Sequence, residues 1–163
     1  NELRRCIKER YLSKINKIKK RMCTEYDLIE IGKKIKIEFD KIEEMNDLTH
    51  VIIENQISPL ASRMKTIQGM VAQYFIMKYE EINIDFISSS NKLKLFNTIG
   101  KEYKQHKKDA IHYCQEVLKK NNNLLSYEEN FLKSKKKDDM ADSFLQGIWY
   151  IKNKSNKKMD IKI

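Results

Sequence analysis

The run Val51-Ile52-Ile53 is apolar and β-branched throughout, and it stops abruptly at Glu54-Asn55-Gln56. β-Branched side chains favour extended backbone, and a strand apolar on both faces belongs to a sheet covered on both sides. In open α/β sheets the carboxyl ends of such strands are where sites are built. The stretch therefore predicts an α/β fold with Glu54 at a site-forming strand end. As an interior strand it also expects a neighbour on each side.

Breakers are scarce, with four glycines and one proline in 163 residues, so the rest is expected to be rich in helix. Leu28, Ile31, Ile35, Phe39 and Ile42 fall on one face of a helix from Asp27 to about Met45. Ser62 opens another, running to about Tyr79, with Met64, Ile67, Met70, Val71, Tyr74 and Phe75 facing inward or toward a partner. Met70, Tyr74, Phe75 and Met77 read as core. Ile82 to Ile87 alternates as a second strand, and helix resumes from about Tyr103 to Lys120. A short polar stretch leads to a last helix at Asp138. Asp138 caps it, and Met140, Phe144, Ile148 and Ile151 form its apolar stripe, widened by Ala141 and Leu145. Asp139 and Asp142 stand beside that stripe, about 60° apart at 100° per residue. They read either as solvated acids or as a pair able to share a divalent cation.

Charge is unevenly placed. The net +10 gathers at the ends: residues 1–22 hold nine Lys or Arg against two Glu, and residues 152–163 hold five Lys against one Asp. Such ends suit a polyanion, with nucleic acid the obvious one, or simply keep the chain soluble. Residues 1–22 form a basic amphipathic helix or a flexible basic arm, and 152–163 a flexible basic tail. Cys6, Cys23 and Cys114 form no C-x-x-C pair, which points to reduced thiols in cytoplasm or nucleus and to no zinc site. No stretch approaches transmembrane length, and the start is too charged for a signal peptide.

Ile53-Glu54-Asn55-Gln56, Arg63-Met64-Lys65-Thr66-Ile67-Gln68-Gly69-Met70 and Lys137-Asp138-Asp139-Met140-Ala141-Asp142-Ser143-Phe144 resemble three successive blocks of the RuvC-type Holliday junction resolvases. The likeness is to the versions in poxviruses and other large DNA viruses and covers roughly residues 27 to 151. It implies a helix-rich RNase H-like fold, a mixed sheet flanked by helices, over residues 23–151. It also implies a structure-selective endonuclease that resolves four-way DNA junctions by paired nicks, as a homodimer and with no small-molecule cofactor. Two Mg²⁺ ions, replaceable by Mn²⁺, would be held by Glu54, Asp139 and Asp142.

A lysine in Tyr103-Lys104-Gln105-His106-Lys107-Lys108-Asp109 would face the scissile phosphate, Lys108 matching best and Lys107 next, or the lysines are a solvated face. Arg63 and Lys65 would position backbone phosphates. Gln56 would orient a ligand or water, or satisfy a buried polar end. The pattern departs in one place: the family's first hairpin, whose first strand supplies an Asp, has no counterpart, since residues 1–22 contain no Asp. Either the chain is a C-terminal fragment or that ligand is lost, unless Asp27 or Asp85 substitutes. Alone, it is expected not to cleave junctions. The alternative is a catalytically incomplete module that binds DNA junctions.

Overall fold

The computed structural model describes residues 25–57, 62–96, 103–154 and 160–163. The expected basic helix or arm over 1–22 lies outside them. The chain divides into two compact units, Asn1–Ile42 and Glu43–Ile163.

Within the first unit, helix α1 spans Leu28–Phe39. It ends well before Met45, and a separate 3-10 turn follows at Glu43–Met45. Leu28, Ile31, Ile35 and Phe39 are half-buried along one face, and no residue of α1 is fully buried. Its ion pairs, Lys36–Asp40 at 2.7 Å and Lys41–Glu38 at 2.8 Å, are exposed and worth about 0.5 kcal/mol each at most.

The second unit begins with the 3-10 turn at Glu43–Met45, and a parallel β-α-β unit follows. Strand β1 is His50–Glu54 and strand β2 is Asn83–Ile87, joined by helix α2 over Ser62–Lys78. The strands pair in parallel, with His50 opposite Asn83 and Glu54 opposite Ile87. Parallel pairing brings both carboxyl ends to one edge and requires a crossover connection, which α2 supplies. Ala72 and Phe75 are its buried residues, and Gln68 Oε1 accepts from the Gln56 backbone N–H at 2.8 Å, closing the strand end. Met77 departs from its expected place in the core: it is 78% exposed, as Met64 and Ile76 are largely exposed. Ala72 and Phe75 mark the buried face of α2, and Met77 stands about 200° round the helix from Phe75.

Among the described residues the sheet has only β1 and β2, so the expected mixed sheet is not present within them. A mixed sheet needs an antiparallel neighbour, and no described segment supplies one. β1 is half-buried over Val51–Glu54, which fits a strand apolar on both faces but paired along one edge.

The core lies C-terminal to the sheet. A 3-10 helix, Ser89–Leu93, follows β2; then come α3 (Tyr103–Lys120), a 3-10 turn at Asn122–Leu124, α4 (Ser126–Lys133) and α5 (Lys137–Asn153). Leu93, Ala110, Cys114, Leu118, Phe131, Ala141 and Leu145 are buried together. The polar stretch expected before the last helix contains α4, because Phe131 (2% exposed) anchors one face of it to this core. On α5 the buried stripe is Ala141, Leu145 and Ile148, while Met140 remains 40% exposed. The apolar pattern was wide enough to seat the helix about one position round from the expected face.

Within the stretch 152–163, expected as a flexible tail, the described residues 160–163 pack against the core, and 155–159 lie outside the described residues. Ile161 is buried against Val117 and Ile148, with Ile163 packed beside them. Asn121, itself buried, grips Lys162 as a strand partner would. Its Nδ2 donates to the Lys162 carbonyl at 2.9 Å and to the Val117 carbonyl at 2.7 Å, and its Oδ1 accepts from the Lys162 N–H at 2.9 Å. The two isoleucines and this clamp outweigh the charge of the neighbouring lysines. Asn121→Ala is expected to cost about 1–3 kcal/mol and to speed hydrogen exchange at the Lys162 amide. Unchanged exchange there would show that Ile161 alone holds the segment.

Candidate functional site

Glu54 ends β1, at the sheet edge where both strands finish. α5 crosses there and is tied to each strand. Gln146 Nε2 donates to Glu54 Oε2 at 2.8 Å, and one turn on the Tyr150 hydroxyl donates to Asp85 on β2. Asp85 thereby holds the Tyr150 hydroxyl above its ordinary pKa, with burial of the ring adding to the shift. Asp85, one of the two carboxylates considered as a substitute ligand, is thus engaged in a structural contact.

Glu54, Asp139 and Asp142 line one cavity, of about 440 Å³, together with Ile52, Lys107, Ser143 and Gln146. The helix contributes to it through one face, since Asp139, Asp142, Ser143 and Gln146 follow one another at spacings of three, one and three. Each carboxylate has a distinct partner. Glu54 has the Gln146 amide. Asp142 accepts from the Lys92 ammonium through Oδ2, in a contact whose side chains are only 16% and 24% exposed. Asp142 Oδ1 is buried with no hydrogen-bond partner. Asp139 is 67% exposed and stands 3.4 Å from Lys136. Among the described residues no three His, Cys, Asp or Glu side chains converge as a metal-binding group.

Asp138 lies inside the first turn of α5, the N-cap position being Lys136, which makes no side-chain cap. Its carboxylate instead accepts from Lys107 Nζ at 2.8 Å. That hydrogen bond, with the charge of Lys107 and nearby backbone N–H groups, holds Asp138 below the usual carboxylate range against an opposing effect of desolvation. A carboxyl depressed in the folded state adds stability above its unfolded value, about pH 3.9, and loses it as pH falls through the folded value. Lys107→Met is expected to move the Asp138 midpoint upward in a ¹³C carboxyl titration. An unmoved midpoint would assign the depression to the helix N–H groups.

Of the two lysines weighed for the phosphate, Lys107 faces the cavity. Lys108 is exposed and outside its lining, as expected of residues about 100° apart on α3. Arg63 is half-buried and Lys65 exposed in the first turn of α2, and neither lines the cavity. Two contributors carried no expectation. Gln146 was legible as the next residue on the Asp139–Asp142 face. Lys92 comes from 50 residues before its partner and left no local signal. Cys114 is buried, and burial pushes its thiol up to about 12, so it is an inert core residue.

The chain is 30% identical over 156 residues to a protein of Acanthamoeba polyphaga mimivirus described as "Uncharacterized protein L451", in an alignment covering 82% of this chain and 37% of that protein. It thus spans little more than a third of the relative's length. No family model and no solved structure matches it. Among the described residues no helix is long and apolar enough to cross a membrane.

Proposed function

We propose that this chain carries the carboxylate face of a Mg²⁺-dependent, structure-selective DNA endonuclease, with a RuvC-type, RNase H-like fold, that resolves four-way junctions by paired nicks. One observation carries the reading. A strand-end glutamate and two helix aspartates, far apart in sequence, line one cavity with a lysine at its side. Two of the three blocks that resemble the resolvases, 53–56 and 137–144, contribute residues to that lining, and the 63–70 block does not.

The donor set suits a hard divalent cation, being all carboxylate oxygen, and the buried, unpartnered Oδ1 of Asp142 is a free acceptor. The fit is incomplete, because the carboxylates share a cavity without closing into a three-ligand group among the described residues. Glu54, Asp139 and Asp142 are the residues that would hold Mg²⁺, which when bound supplies an activated water and charge neutralisation at the leaving oxygen. Gln146 orients Glu54, as outer partners of metal ligands do. Lys107 offsets negative charge on a phosphate at the cavity mouth. Lys92 neutralises Asp142 and so lowers its repulsion of that phosphate. The exposed Ile76 and Met77, adjacent near the end of α2, support a homodimer through that helix. Two-fold symmetric partners suit a two-fold symmetric junction.

The second reading is a junction-binding module without catalysis, and the engagement of Asp142 with Lys92 and the open ligand set favour it. Mg²⁺-dependent nicking of a synthetic four-way junction decides between them, assayed side by side with the 163-residue chain and with an extended protein that contains it. The nuclease reading expects no cutting by the chain alone and paired nicks from the extended protein. Tight junction binding without nicks from either would leave the binding module.

A further inference from the structure

A second cavity, of about 480 Å³, adjoins the carboxylate cleft, and Lys107 lines both. Its polar lining among the described residues is Ser89, Ser90, Lys92, Lys94, His106 and Lys107, with no carboxylate among them. The contrast with the acidic cleft is sharp: cationic and hydroxyl donors on one side of Lys107, three carboxylates on the other. Three ammonium groups, an imidazole and two hydroxyls gather around one hollow; Lys92 and Lys107 each also hold a carboxylate, Asp142 and Asp138, but an ammonium carries three donors and can serve a phosphate as well.

The wall is built rather than incidental. Ser88 caps the 3-10 helix by accepting from the Ser90 N–H, and its hydroxyl lies 2.9 Å from that of Ser90. Asn91 and Leu93 are buried beneath it. Phe96, also in the lining, stacks on Tyr113 with centroids 4.4 Å apart. Lys94 stands over the Trp149 ring, 5.7 Å from Nζ to centroid, which limits where its ammonium can go. Lys92 is engaged with Asp142, so one residue bridges the two cavities by charge as Lys107 does by position.

We propose that this cavity seats a nucleic-acid backbone phosphate next to the one held over the carboxylates. It receives the strand on the far side of Lys107 and sets its register in the cleft. This inference rests on the nuclease reading for what lies in the cleft, while the cavity's own chemistry concerns only phosphate. Free phosphate is the competing source of the same chemistry.

The three histidines of the chain provide the probe, since only His106 lines the cavity. The imidazole ¹H–¹³C signals of the full chain would be followed in EDTA, first with inorganic phosphate and then with a phosphodiester-linked trinucleotide. The expected result is a saturable shift of His106 alone, with the trinucleotide binding more tightly than inorganic phosphate. Lys94→Gln should weaken the trinucleotide about tenfold, the measure of one charge-assisted hydrogen bond, while Lys119→Gln, outside the cavity, should leave it unchanged. Equal movement of all three histidines, or no movement of His106, would overturn the proposal. Response to inorganic phosphate but not to the trinucleotide would overturn the backbone assignment. A saturable His106 shift in a protein whose extended form never nicks junctions would retain the subsite and remove the nuclease reading. Nicking with His106 silent would do the reverse.

Discussion

On the nuclease reading, Glu54→Gln, Asp139→Asn and Asp142→Asn, each in a protein that contains this chain and cuts junctions, are expected to lower Mg²⁺-dependent junction cutting by at least about a hundredfold, since even outer partners of metal ligands are worth about 10–100-fold. Junction binding in EDTA should stay the same or tighten, because each change removes a negative charge facing phosphate. Gln146→Met should fall in the 10–100-fold range of an outer partner, about what is expected when a ligand carboxylate loses its orienting hydrogen bond. Asp142→Asn carries a second consequence. It leaves the largely buried Lys92 ammonium without its counter-charge, so a stability cost of about 1–3 kcal/mol is expected as well. Melting curves for all four variants separate that cost from the loss of chemistry. Near-parental cutting by the Glu54 or Asp139 variant would remove that residue from the metal assignment.

Leu145→Ala is expected to be the most damaging single change to the fold, at about 2–5 kcal/mol. Leu145 is fully buried, in the cluster that joins α3, α4, α5 and the 3-10 helix, so its removal leaves a void bounded on every side. Against a typical net stability of about 5–15 kcal/mol this is a large fraction. The same helix presents Asp142 and Gln146 to the cleft, so a loosened α5 should also weaken the Glu54–Gln146 contact. Met140→Ala is the comparison: Met140 is 40% exposed, and its loss should cost about 0.5 kcal/mol or less. Denaturant unfolding of both variants reads the difference. Equal losses would show that α5 seats its Met140 face after all.

The β-branched run at 51–53 and the alternation at 82–87 announced the strands, and their boundaries in the fold are His50–Glu54 and Asn83–Ile87. α2 was legible from Met64, Ile67, Met70, Val71, Tyr74 and Phe75, which recur at helical spacing over about three turns, and α3 matches the expected span from Tyr103 to Lys120. α4 was not legible, since it is eight residues long and depends on a single buried anchor, Phe131. Too few turns fit within it for a period to show. The docking of Ile161 was hidden by the lysines around it, because composition averages a segment while burial selects individual side chains.

What the sequence by itself determined is local: the strand-end glutamate, the helical spacing that puts Asp139 and Asp142 on one face, and the order of elements that lets the two approach. Each follows from backbone periodicity, which neighbouring residues set among themselves. Only the tertiary structure decided that Lys107 rather than Lys108 faces the cavity, because that choice depends on how α3 is rotated against α5. Likewise, only it decided that Lys92 closes on Asp142 and that Gln146 holds Glu54. Those contacts join residues 50 and 92 positions apart, and the packing of Leu93, Ala141 and Leu145 into one core fixes the distances between them.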